Sequence, residues 1–233
     1  MTIHASVRDR LALNLDYPTL AEAERVASML EPWVKTVKVG FELFIAEGPA
    51  TIEKFRAAGF DVFFDIKLHD IPNTVRAGAR AAGRLGATYV NMHTLGGEAM
   101  VRAGVEGLAE GAAQAGVASP VALGVTVLTS DATADPREVE RRIAIARDGG
   151  CGGIVCAAAE VATAARVAPG LITVVPGIRL AGSDANDQGR PATPSEAVLA
   201  GSTILLLGRT VTAAADPVAA IQRVHDEVAA ATD

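Results

Sequence analysis

Cysteine, lysine and aromatic side chains are scarce in this chain. Its 233 residues include two cysteines, Cys151 and Cys156, which stand in no metal-ligand spacing and read as loop and core thiols of a reducing compartment. Aromatics make up 4%, so Val, Ile, Leu and Ala have to fill the core that a 50% hydrophobic composition provides. No run of about 18 apolar residues is present, and no membrane span is expected. The opening MTIHASVRDR holds no apolar h-region, so no secretory signal is expected either, and a cytoplasmic enzyme fits best. Positive charge is short as well. A net charge of −6 argues against general nucleic-acid binding. A small anionic ligand stays open, because local Arg and Lys groups set the field in a cleft.

What is present alternates. Short apolar strands are expected near 10–15, 36–40, 62–68, 87–93, 120–128, 153–157, 172–177 and 203–208. Ala-rich helices are expected near 19–31, 43–58, 73–85, 97–115, 136–149, 159–167, 194–200 and 216–230. Eight βα units predict an α/β fold of the (β/α)8 TIM-barrel type, with 1–233 as a single catalytic domain. An open doubly wound sheet is the alternative, but no G-x-G-x-x-G follows the first strand.

Residues 62–74, VFFDIKLHDIPNT, carry the chemistry. Val62, Phe63 and Phe64 start a strand, and Pro72 suits the first turn of a helix. Asp65 and Lys67 are two apart, so alternation puts them on one face with Cα atoms roughly 6–7 Å apart. Asp70 follows beyond the strand. As structure, Asp65 and Lys67 would be a buried ion pair holding a loop. As chemistry, they form a fixed carboxylate–ammonium array at the mouth of a sheet. A lysine between carboxylates stays protonated and can hand a proton to a developing carbanion. Only four of the 21 basic residues are lysines, yet one stands here, and lysine can release a proton where arginine effectively cannot.

DIKLHDIPNT resembles the D-x-K-x-x-D-I-x-x-T signature of the orotidine 5′-phosphate decarboxylases in their bacterial form. The shorter D-x-K-x-x-D core is shared with hexulose-phosphate synthases. The resemblance extends through LNLD, KVG, VTVLTS, PGIR, DQ and GRT. It implies that Asp16 and Lys38 bind ribose hydroxyls, that Lys38 also bridges to Asp65, and that Thr129 contacts the pyrimidine. It also implies a homodimer in which Asp70, Ile71 and Thr74 complete the neighbouring site. Asn14 departs from the usual A-L-D pattern of the family. It should share the face of Asp16 one layer deeper, where its amide needs partners.

In a barrel of this kind, loops after strands 7 and 8 commonly bind phosphate. Here they read Pro176-Gly177-Ile178-Arg179 and Leu207-Gly208-Arg209-Thr210. Gly208 allows close approach of a backbone N–H, and Arg209 offers a bidentate, permanent charge, with Arg179 beside it. Residues 180–194 have no apolar period and read as a lid; Asp187-Gln188-Gly189-Arg190 resembles the D-x-Q-x-R segment of the family, with Gln188 reaching phosphate and pyrimidine together. His93 is expected to be a hydrogen-bonded supporting residue, and His4 and His225 to lie on the surface.

The activity implied is decarboxylation of orotidine 5′-phosphate to uridine 5′-phosphate, the last step of de novo UMP synthesis, with Lys67 as proton donor to C6. No cofactor and no metal are expected. Two rivals remain at this point: a Mg-dependent sugar-phosphate aldolase or decarboxylase like hexulose-phosphate synthase, and a non-catalytic phosphate-binding barrel.

Overall fold

The structure, a computed structural model, describes residues 5–131, 133–181 and 189–232. After a short helix α1 (Ala5–Arg8), the strands are β1 (Leu11–Asn14), β2 (Thr36–Val39), β3 (Asp61–Leu68), β4 (Tyr89–His93), β5 (Val121–Val125), β6 (Gly153–Val155), β7 (Ile172–Val175) and β8 (Ile204–Leu207). Each pairs in parallel with the next, and β8 pairs with β1, closing the barrel. Between them run α2 (Leu20–Leu30), α3 (Phe41–Glu47), α4 (Ala50–Ala57), α5 (Pro72–Gly83), α6 (Gly97–Ala115), α7 (Pro136–Asp148), α8 (Val161–Val167), α9 (Pro194–Leu199), α10 (Arg209–Thr212) and α11 (Pro217–Thr232). The (β/α)8 barrel expected from the alternation is the observed fold. No helix among the described residues is long and apolar enough to cross a membrane.

The strands read as nearly continuous apolar runs because both faces are covered. Ala12, Phe63, Leu123, Val125, Val155 and Leu206 fill the barrel interior, and a larger apolar layer lies between sheet and helices. Helix starts follow local chemistry. Pro72, Pro136 and Pro194 open their helices, and the Asp135 and Thr193 side chains accept from Arg137 N–H and Glu196 N–H. The single helix expected over 43–58 is two helices. Gly48 takes a φ of +75° and Pro49 follows it, which ends α3 and restarts the chain as α4. His225 is not at the surface: it is buried on α11, edge-on to Trp33 at 5.4 Å between ring centroids. His4 lies outside the described residues.

Candidate active site

The polar side chains gather at the C-terminal ends of β1 to β4. Lys38, buried on β2, places Nζ 3.2 Å from Asp16 Oδ1 and 3.2 Å from Asp65 Oδ2. Lys67 Nζ lies 2.6 Å from Asp65 Oδ1. The order Asp16–Lys38–Asp65–Lys67 thus alternates in charge across three strands. Burial pushes the Asp65 carboxyl up, but the Lys38 and Lys67 ammoniums and the hydrogen bonds from Lys67 and Asn91 outweigh it and hold it below its ordinary value. Gly40 makes room for the bridge. A Cβ there would stand 2.7 Å from Lys38 Nζ and 2.8 Å from Asp16 Oδ1.

Asp65 and Lys67 do share a face, but not by simple strand alternation. Lys67 has a φ of +41°, and the β3–β4 register shifts between Phe64 and Leu68. A left-handed conformation in a residue with a long side chain is strained and tends to occur at functional sites. Asn91, fully buried on β4, meets this distortion. Its Nδ2 donates to Asp65 Oδ1 at 2.6 Å, and its Oδ1 accepts from the Lys67 N–H at 2.7 Å. Sequence reasoning missed Asn91. The available signal was a carboxamide in the middle of a strand otherwise reading Val90 and Met92. It also missed Phe41, whose ring centroid is 5.6 Å from Lys67 Nζ.

His93 accepts a hydrogen bond from the Leu95 N–H at Nδ1 and stacks near His69 at 5.5 Å. Burial, with the positive charges of Arg142, His69 and Lys67 behind it, pushes His93 down to about 4. It is neutral near pH 7 and supports the strand end. The thiols are inert, since burial pushes Cys151 up to about 12 and Cys156 higher still. Among the described residues, no three His, Cys, Asp or Glu side chains gather as a metal-binding group.

Two cavities open side by side over the barrel. One, of about 190 Å³, is lined by Phe63, Asp65, Lys67, Val125, Thr129 and Val155. The other, of about 370 Å³, is lined by Asp16, Gly177, Arg179, Gly208, Arg209 and Thr212. They share Asn14, Pro176 and Leu206 as a common wall. The small cavity is an apolar slot with the charged array at one end. The larger one carries two guanidinium groups. Burial and then Arg209 lower the affinity of Arg179 for its proton, so two like charges face one space. Asn14 is half satisfied among the described residues: Nδ2 donates to Asp16 Oδ2 at 2.5 Å, while Oδ1 is buried with no partner among them.

After β7, Ile178 forms a parallel bridge with Ala192, and Arg179 N–H donates to Ala192 O at 2.8 Å. Gly189 N–H donates to Thr129 O at 3.1 Å, and Arg190 pairs with the buried Glu160. Gln188 and Asp187 lie outside the described residues. Asp70, Ile71 and Thr74 line neither cavity. All three are exposed, and the Asp70 carboxylate accepts from the Ile71 N–H at 2.6 Å.

Fold and site together define a (β/α)8 barrel with a lysine–carboxylate array beside a cavity lined by two arginines. The chain belongs to the orotidine 5′-phosphate decarboxylase / HUMPS family, which it matches over residues 9–224. It is 44% identical to the orotidine 5′-phosphate decarboxylase of Halorhodospira halophila, over 95% of this chain and 97% of that one. It is 41% identical to that of Moorella thermoacetica, over 97% and 94%. The crystal structure of orotidine 5′-phosphate decarboxylase from Lactobacillus acidophilus superposes with a TM-score of 0.78 at 33% identity, covering 94% of this chain and 99% of that one.

Proposed function

We propose that this barrel decarboxylates orotidine 5′-phosphate to uridine 5′-phosphate. The observation that carries the reading is Lys67 Nζ, held 2.6 Å from Asp65 over an apolar slot that adjoins the two-arginine cavity. The slot is assigned to the pyrimidine and the Arg179–Arg209 end to its 5′-phosphate. Relatives at more than 40% identity across nearly the whole chain carry this activity in their names. No observation favours the sugar-phosphate or purely binding alternatives.

In this reading the C6–carboxylate bond breaks, its electron pair stays on C6, and CO2 departs. The pair lies in the ring plane, where the ring delocalises it poorly. The Lys67 ammonium, fixed beside C6, stabilises the growing charge and then transfers a proton from Nζ to C6. Solvent restores the lysine. Asp65 is held ionised, so the departing carboxylate meets a like charge that vanishes as CO2 forms; the array favours the transition state over the substrate. Lys38 and Asp16 are assigned to the ribose, Thr129 to the pyrimidine, and Arg209, Arg179 and Gly208 to the phosphate. Gln188 is assigned to bridging phosphate and pyrimidine by resemblance alone. Residues 1–233 serve as one catalytic domain, in the cytoplasm.

A homodimer completes the proposal. Phe41, Ile45, Ile71 and Leu95 are exposed large apolar side chains on the connections after β2, β3 and β4. Such an arc on the rim marks an interaction surface. Asp70, Ile71 and Thr74 stand on the same rim, outside their own cavities, where a second copy would receive them.

The test is the ultraviolet absorbance of orotidine 5′-phosphate with the purified protein in excess EDTA, beside Lys67→Ala. Conversion to UMP that the variant loses is expected. Absence of conversion by folded protein would overturn the reading. Mixed Lys67→Ala and Asp70→Ala subunits should regain partial activity, and none after proven exchange would remove the shared site.

A further inference from the structure

We propose that Asn91 is a positioning residue whose one side-chain amide clamps both ends of Lys67. The inference deepens the proposed decarboxylation and rests on it for its kinetic part. Between the pairs Phe64↔Val90 and Leu68↔Met92, β3 advances four residues while β4 advances two. Extra residues on one strand leave backbone groups without a ladder partner. The Lys67 N–H finds its partner in Asn91 Oδ1 at 2.7 Å, and this bond sits on the residue whose φ is +41°. The other half of the same amide reaches the far end of the lysine. Asn91 Nδ2 donates to Asp65 Oδ1 at 2.6 Å, the oxygen that also receives Lys67 Nζ at 2.6 Å.

The ring is closed: backbone of Lys67, amide of Asn91, carboxylate of Asp65, ammonium of Lys67. The chemistry dictates the residue type. The N–H can only donate and the carboxylate can only accept, so the clamp needs one acceptor and one donor in fixed relation. Aspartate would set two carboxylates together. Leucine would leave a buried N–H unpaired, at the full desolvation cost. Asn91 is fully buried, lines neither cavity and acts through Lys67 and Asp65. The groups facing Asp65 are Lys38 from β2, Lys67 from its own strand and Asn91 from β4, with Asp16 joined through Lys38.

The variants Asn91→Ala and Asn91→Asp separate the two bonds. Asn91→Ala removes both. Asn91→Asp keeps an acceptor for the Lys67 N–H and loses the donor to Asp65. For Asn91→Ala, kcat should fall about 10–100-fold, as for loss of a hydrogen bond to a charged group, while the dissociation constant of UMP changes less than about threefold. For Asn91→Asp, the acid limb of the kcat profile should move to higher pH, because a second carboxylate disfavours ionised Asp65. A loss of kcat matched by an equal loss of UMP affinity, with the acid limb unmoved, would reduce Asn91 to a structural residue. Crystal structures of both variants decide the clamp without turnover. Lys67 should leave the left-handed region in Asn91→Ala and stay there in Asn91→Asp; Lys67 unmoved in Asn91→Ala overturns the proposal. Wild-type protein that fails to convert orotidine 5′-phosphate would remove the reaction, and the crystallographic comparison would still judge the clamp.

Discussion

Replacing Lys67 by alanine and by glycine tests the strain at the centre of the site. Both changes delete the ammonium and its 2.6 Å contact with Asp65, so that loss is common to the pair. They differ in the backbone. At a φ of +41°, an alanine Cβ retains the left-handed penalty of about 1–2 kcal/mol, which glycine does not carry. Glycine gains freedom in the unfolded chain, which costs about 0.4–1 kcal/mol. Glycine should therefore be the more stable of the two by about 1 kcal/mol, or roughly 2–4 °C in Tm for a chain of this length. In an ordinary strand interior the sign is opposite, with alanine ahead by about 0.5–1 kcal/mol. Ile66, the preceding residue, has no positive φ and supplies the control pair Ile66→Ala and Ile66→Gly. The assay is urea denaturation at one fixed protein concentration, since any dimer would make the midpoint concentration-dependent. Alanine equal to or more stable than glycine at position 67 would refute the left-handed backbone and the strain argument with it.

The pH dependence of stability should show His93. Its folded-state value, about 4, lies below the ordinary value of 6.5, so the unfolded chain takes up the proton first. The His93 contribution is therefore complete above pH 6.5, falls as pH drops and levels off below about 4. His93→Gln should flatten the stability curve across that window; an unchanged slope in urea midpoints from pH 7 to 4.5 would count against the assignment. Arg190→Ala should destabilise by about 3–5 kcal/mol, because it strands the buried Glu160 carboxylate. Adding Glu160→Gln should recover most of the loss in the same denaturation assay, and no recovery would mean that the charge is not the cause.

Much of the fold was legible because a barrel sheet is covered on both faces, so each strand announces itself as a short apolar run between amphipathic helices. The break at Gly48 and Pro49 was visible as residues but not as a boundary, since the flanking apolar spacing continues across it. His225 was misjudged because a histidine on a mostly polar helix stretch reads as exposed; only the packing of Trp33 against α11 shows its face. Within the site, charged residues at strand ends stood out, as Lys38, Asp65 and Lys67 did. Asn91 did not, because its role depends on a register shift in the neighbouring strand, and a shift of register leaves no local mark in either strand's composition. The positive φ of Lys67 leaves no mark in the sequence either. Only glycine, or at most asparagine, advertises a positive φ.

The two ends of the site stand on different parts of the barrel. The charged array belongs to β2, β3 and β4, while the arginine pocket belongs to the loops after β7 and β8. Because the barrel is closed, β1 lies between these groups, paired to β8 on one side and β2 on the other. Its end carries Asn14 and Asp16. Asn14 bonds Asp16 at 2.5 Å, Asp16 bonds Lys38 at 3.2 Å, and Lys38 bonds Asp65 at 3.2 Å. Asn14 is also in the wall common to both cavities. A continuous polar chain therefore runs from the arginine pocket to the carboxylate that holds Lys67. Rigid strands fix it at every step except Asp16, whose side chain is 44% exposed and follows β1 rather than lying within it. With the ribose assigned to Asp16 and Lys38 as proposed, the substrate would sit over this least constrained link in a reaction that draws on the grip of a remote phosphate. The sheet supplies the preorganised charge, and Asp16 is where ligand contact can still change its alignment.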